Sequence, residues 1–210
     1  MTEKKKDLQQ ERLLKELYSP FSNSNEERYL SEIGGFLEHA LKISNSKDAV
    51  LKETGRLIHQ IFEFKEIAFG VRDSDGMYRY HEMIGFRNEA ENARKQIVYN
   101  NKDMTDGASF KSIRIGKYSQ IHLSEYEPFK SGEEATFNHP ELLGKPRTNA
   151  DDMIEGDYLD TFLIGRQKEI LGWIELSGTR NGKLPSREVL LFLEFIASCL
   201  PLFLVHTRKN

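Results

Sequence analysis

The sequence predicts a domain of the α/β class in its α+β form, with an antiparallel sheet of five to six strands and helices mainly on one face. Three observations carry this expectation. Apolar residues recur at helical spacing as far as Phe62, then change to alternation from Glu66 onward. Tyr158–Gly165 and Ile170–Ser177 read as two strands joined by a polar turn. A nearly continuous apolar run, Val189–Val205, follows the last turn and reads as a closing helix.

In chain order, Asp7–Tyr18 carries Leu13, Leu14, Leu17 and Tyr18 on a charged background. It predicts a short leading helix that ends before Pro20 and the polar stretch Ser22–Asn25. Residues 1–25 are therefore expected to be an extension, and 26–210 the domain. Leu30, Ile33, Leu37, Ala40 and Leu41 mark the apolar face of a second helix, and Ser44–Ser46 supplies a stop and the next cap. Val50, Thr54, Leu57, Ile58 and Ile61 mark a third, with Asp48 where the helix dipole favours an anion. Ile67, Phe69 and Val71 alternate along a strand, Asp73–Gly76 offers a turn, and Met77–Ile84 is the returning strand. Asn88 with Glu91 three residues on has the form of a capping box and opens a short helix to about Val98. Residues 99–156 are rich in Asn, Asp, Gly, Lys and Pro and predict long loops with short helices and one strand, Tyr118–Leu123. After the hairpin, Gly178–Pro185 turns the chain, and Ser186 or Pro185 starts the closing helix.

This order resembles the GAF family over roughly Leu30–His206. The resemblance lies first in Phe162, Leu163 and Ile164, a polar turn, and then Ile170 to Leu176, where a glycine is followed by apolar residues in a central strand. It continues in Leu184–Leu190, an acidic residue before an apolar helix, and in Val50–Phe62 followed by Ile67–Val71. The resemblance implies a non-catalytic ligand-binding or regulatory module, often dimeric through its terminal helices. The cavity would lie on the sheet face opposite those helices, under loops and short helices from the middle of the chain. The family serves cyclic nucleotides, haem, bilins, metabolites and plain dimerisation, so no cofactor is named by the likeness.

Composition narrows the partners. Lys and Arg number 30 against 33 Asp and Glu, a net charge of -3, and no basic stripe calls for nucleic acid. The single cysteine, Cys199, excludes a disulfide framework within the chain and fits a reducing compartment. With Met1–Glu16 charged throughout and no secretory pattern, a cytoplasmic location is expected. Val189–Val205 is shorter than the roughly 20 residues of a spanning helix and holds Glu194 and Pro201. It reads as a helix buried between the sheet and a second subunit, not as a membrane anchor.

No catalytic constellation emerges. A Gly-x-Ser-x-Gly elbow is absent, Cys199 lies in the apolar helix, and one thiol does not suffice for the methionine sulfoxide chemistry of some GAF relatives. Bilin attachment would need a cysteine near the cavity. His39, His59, His81, His122, His139 and His206 form no metal-binding pair on one helix face, although His81 and His122 lie on expected strands and could face either a ligand or solvent. Gly116 and Lys117 lack the remainder of a phosphate loop. Glu133 with Glu134 and Asp151 with Asp152 read as solvated loop charges.

The candidate binding residues are therefore mostly aromatic. Alternation puts Leu171, Trp173 and Glu175 on one sheet face. Phe69, Tyr80, Phe162 or Leu163, and Trp173 are the candidate wall, and Phe110, Tyr118, Tyr126 and Phe129 the candidate lid. Arg166 and Arg114 are candidates for an anionic ligand group. Each has an ordinary alternative as core aromatic or surface charge. Two functions stay open: a sensor that binds a small molecule and signals through its terminal helices to a partner in trans, and a dimerisation or docking module without a ligand. An enzyme ranks third.

Overall fold

The computed structural model describes residues 24–105, 111–127 and 129–206, the side chains of 205 and 206 excepted. The expected leading helix lies outside them. Helix α1 (Asn25–Ile43) starts where the Ser24 hydroxyl accepts the Glu27 N–H, with Glu26 and Glu27 in the first turn. Its buried face is Tyr29, Ile33, Phe36 and Ala40, whereas Leu30 and Leu41 are 55% and 67% exposed. The expected face is thus turned by about one residue. The reason is aromatic: Tyr29 packs edge-on against Phe62 and Phe192, centroids 5.0 and 5.2 Å away. Helix α2 (Lys47–Phe62) is capped by Ser46 and ends on Glu63, which adopts the left-handed conformation at φ 60°.

The strands are β1 (Phe64–Arg72), β2 (Tyr78–Ile84), β3 (Val98–Tyr99), β4 (Ile113–Arg114), β5 (Ser119–His122), β6 (Tyr158–Ile164) and β7 (Ile170–Thr179). They form one sheet in the order β3-β2-β1-β7-β6-β5-β4, with every pair antiparallel. The seven strands exceed the expected five to six because β3 and β4 are two-residue edge pairings, too short to show alternation. Between β2 and β3 runs α3 (Asn88–Lys95), and α4 (Asn101–Thr105) follows β3. The expected capping box at Asn88 does not form. Arg87 is the N-cap residue, and its N–H bonds instead to Asn138 Oδ1 at 2.8 Å.

Helices α1, α2 and α5 (Arg187–His206) carry the main core, packed against Ile67, Phe69, Leu159, Leu163, Ile174 and Leu176 of the sheet. Gly55 lets α2 approach: a Cβ there would lie 2.4 Å from Ile84 Cδ1 and 3.1 Å from the Phe69 ring. The other sheet face is built by Ala68, Tyr78, Tyr80 and Trp173. Two register shifts decide which residue faces where. Gly70 pairs with Tyr80 and Phe69 with Glu82, so His81 is the extra residue in β2. Leu163 pairs with Gly172 and Ile164 with Ile170, so Leu171 is the extra residue in β7. Leu171 consequently joins the helix-side core and leaves the face of Trp173, contrary to simple alternation.

The middle of the chain is pinned more firmly than its composition predicts. Arg147 pairs with both oxygens of Glu125 at 2.9 and 3.0 Å and with Asp157 at 2.9 Å. The buried Asp157 carboxylate also accepts the N–H groups of Ser124 and Ile154. These bonds tie three distant loop segments to the start of β6.

The pairing of Gly70 with Trp173 gives a direct test. The indole covers Gly70 so closely that a Cβ would lie 2.0 Å from it. Gly70→Ala should cost about 1–3 kcal/mol of unfolding free energy in urea and shift the emission of the single tryptophan. Gly34→Ala in α1, where a Cβ meets nothing within 4 Å, should instead stabilise by about 0.5–1 kcal/mol.

Candidate functional site

A cavity of ≈ 110 Å³ lies on the sheet face opposite the three long helices. Strand alternation supplies its floor: Tyr158, Asp160 and Phe162 from β6, Gln120 and His122 from β5, Trp173 and Glu175 from β7, and Tyr80 from β2. The lid brings Arg94 from α3, Tyr99 from β3, Asp103 and Met104 from α4, and Phe129, Glu133 and Phe137 from the loop after β5. Tyr80 and Tyr99 meet Trp173 edge-on at 5.3 and 5.6 Å.

The lid is fastened by charge. Arg94 and Glu175 form an ion pair in which the residues are only 3% and 5% exposed. Tyr80 donates to Glu175 at 2.6 Å, and Arg94 Nε donates to the Thr136 carbonyl at 2.8 Å. The guanidinium also lies over the Phe86 ring, 4.5 Å from its centroid. Burial would lower the pKa of Arg94, but Glu175 and Tyr80 outweigh it and hold the group above its ordinary value. Burial, followed by the Glu175 charge, pushes the Tyr80 hydroxyl well up.

Beside this saturated pair is a polar cluster that the protein leaves incomplete. His122, 3% exposed, stacks on Tyr158 at 4.4 Å with 14° between the rings. Its Nε2 lies 3.2 Å from Asp160 Oδ2 and 3.0 Å from Gln120 Nε2, while Gln120 Oε1 accepts the Ser112 hydroxyl. His122 Nδ1 and Asp160 Oδ1 are buried and have no hydrogen-bond partner among the described residues. Burial raises the Asp160 carboxyl above its ordinary pKa, against the lowering effect of the bond to His122.

The structure gathers Tyr80, Phe129, Phe162 and Trp173 of the candidate residues around the cavity. It removes three others. Phe69 points into the helix-side core, because its neighbour Gly70 is the residue opposite Trp173. Tyr118 donates its N–H to Glu194 of α5 at 2.7 Å and does not line the cavity, and Arg166 is exposed in the β6–β7 turn. Phe110 lies outside the described residues. Of the two strand histidines, His122 lines the cavity, while His81 sits between Asp73 and Asp48 at the start of α2. Leu163 is in the helix-side core and Tyr126 is exposed. Arg114 bonds the Gly116 and Lys117 carbonyls of its own turn. Sequence reasoning missed Arg94, Asp160, Tyr158 and Gln120. The spacing of Tyr158, Asp160 and Phe162 was a usable signal for β6, but nothing local pairs Arg94 with a residue 81 positions away.

Among the described residues, no three His, Cys, Asp or Glu side chains group as a metal site, and no helix is long and apolar enough to cross a membrane. Cys199 is partly buried and its thiol is pushed up by that burial, the opposite of nucleophile activation. Replacing Arg94 by Met would strand Glu175 without its counter-charge. Unfolding in urea should show a loss of about 3–5 kcal/mol, much of it recovered in Arg94→Met/Glu175→Gln.

No protein-family model and no curated protein matches the sequence. Solved structures do match in shape. A GAF domain/HD domain protein from Geobacter sulfurreducens aligns with a TM-score of 0.56 at 13% identity, over 81% of this chain and 99% of that one. The GAF domain of an Acinetobacter phosphoenolpyruvate-protein phosphotransferase gives 0.52 at 9% identity, covering 85% and 94%. That of the Coxiella burnetii phosphoenolpyruvate-protein phosphotransferase gives 0.51 at 16% identity, covering 86% and 96%. With its antiparallel sheet, three helices behind it and a lidded cavity in front, this chain has the GAF fold.

Proposed function

We propose that the chain is a non-catalytic sensory or regulatory domain that takes a small molecule into the lidded cavity and passes its occupancy to a partner through the terminal helices. The observation that carries this reading is a cavity whose polar wall is unfinished, since among the described residues His122 Nδ1 and Asp160 Oδ1 lack partners that a ligand could supply. A route outward supports it. Ser119, on the same strand as Gln120 and His122, donates to Glu194 Oε1 at 3.0 Å, and the same oxygen accepts the Tyr118 N–H. A displacement of β5 by a bound molecule would therefore pull on α5. The lone, partly buried thiol supports a cytoplasmic setting.

A screen of metabolites and cyclic nucleotides by thermal shift, with absorption spectra for haem, tests the reading. At least one compound should raise the melting temperature, and Glu194→Gln should leave its binding intact while removing ligand-induced changes in α5 amide exchange. A blank screen, or binding that leaves Trp173 unperturbed, would refute it.

A second reading, a pairing module, is favoured by a different observation. Leu30 and Leu41 on α1 and Leu191 and Phe195 on α5 are exposed large apolar residues on the helix layer. A second copy of the chain would cover them. Sedimentation should then show a dimer that Leu191→Glu/Phe195→Glu converts to monomer, and a wild-type monomer at high concentration removes the reading.

A further inference from the structure

The side chains around the cavity narrow the class of molecule it accepts. We infer that the ligand is a small organic cation, an amine, amidine or guanidine whose charged N–H groups meet the Asp160 carboxylate while its body lies among the aromatic rings. This rests on the reading of the cavity as a ligand site and adds the chemistry of the occupant.

The charges around the cavity do not balance from within. Asp103, Glu133, Asp160 and Glu175 line it against Arg94, Lys130 and His122, the last with its Nε2 3.2 Å from Asp160 Oδ2. Arg94 is committed to Glu175, and Lys130 is exposed. The inner carboxylate with an open acceptor is Asp160, whose Oδ1 is buried and accepts no hydrogen bond among the described residues. A buried acceptor without a donor costs about 1–3 kcal/mol, more when charged, and an N–H-bearing cation removes that cost and the charge imbalance together. An anion would meet Asp160 and Glu175 head on.

The protein also shows how such a cation is held. Arg94 has its guanidinium on a buried carboxylate, in contact with the Tyr80 hydroxyl and over an aromatic ring. Asp160 offers the same elements one strand away, a buried carboxylate with the Trp173 and Phe162 rings also lining the cavity; His122 Nε2 lies 3.2 Å from its Oδ2, and Oδ1 has no donor among the described residues. At ≈ 110 Å³ the cavity is smaller than the roughly 150 Å³ that accommodates benzene, so as closed it suits a few heavy atoms and not a tetrapyrrole.

Two series of nearly constant shape test the assignment, because charge and N–H donors change within each: formamidinium, formamide and formate, and acetamidinium, acetamide and acetate. Followed by NMR on the Trp173 indole N–H and on Gln120 and His122, the two amidinium ions should saturate at least about tenfold more tightly than their amides, and the carboxylates should not bind. Asp160→Asn should abolish the preference for cations. That variant should melt no lower than the wild type, since it keeps an oxygen able to face His122 and removes a buried carboxylate that has one unpartnered oxygen. If amides or carboxylates bind as tightly as the amidinium ions, the cavity is a ligand site and the cation assignment is wrong. If none of the six perturbs Trp173, the assignment fails as well, and the reading of the cavity as a sensor site falls with it only when the metabolite screen is also blank.

Discussion

The ion pair of Arg94 with Glu175 is the interaction on which the cavity depends. Removing two charges from water is costly, and Coulomb attraction repays it only where the remaining donors and acceptors are also satisfied. Here they are, through Tyr80, the Thr136 carbonyl and the ring of Phe86. A lid attached by apolar packing alone would settle onto the sheet and fill the space beneath it. A lid held by a rigid, directional strut stands at a fixed height, and the volume beside the strut persists.

The two faces of the sheet divide the work accordingly. The helix side is an apolar core from Tyr29 to Leu204 with large side chains fully buried, and it supplies the stability. The cavity side is smaller and polar, with Tyr80, Trp173 and Tyr78 as its apolar base. The bulges at His81 and Leu171 separate these roles, because each moves one residue out of phase at the places where Gly70 and Trp173 must face the cavity. Glu194 then joins the two sides at the sheet's far edge. In the sequence it interrupts an apolar run; in the fold it accepts from Ser119 of the strand bearing Gln120 and His122, and from the Tyr118 N–H just before that strand.

How much of this was legible follows from which signals are local. Helical spacing and alternation are properties of short windows, and they located α2, α5, the β1–β2 hairpin and the β6–β7 hairpin. Which face of one strand matches which face of the next is set by register, and register here depends on bulges that leave no mark in composition. Leu171 was misassigned for that reason; Phe69 was misassigned because it pairs with Ile174 while its neighbour Gly70 pairs with Trp173, and Tyr80 does share the face of Trp173 because both sit opposite Gly70. The face of α1 was misread because area, not hydropathy alone, decides burial, and Tyr29 and Phe36 outweigh Leu30 and Leu41. The polar half of the site escaped because its members come from strands and loops far apart, and a carboxylate such as Asp160 carries no sign in sequence of being buried.

That burial also separates the two proposed functions. A module that only paired with its copy would have no use for an incomplete polar cluster under a lid, and an apolar residue at position 160 would serve it better, because buried unpaired acceptors subtract from stability. Natural stability margins are small, so a group that costs free energy without structural return is tolerated chiefly where function recovers it. Asp160 and His122 have that character: each keeps one buried atom without a partner, and both sit on the strands that reach toward Glu194. The exposed leucines of α1 and α5 are compatible with pairing under either function. The unpaired atoms of Asp160 and His122 differ from those of Ser124 and Glu188 in lining the cavity, where an entering molecule could partner them.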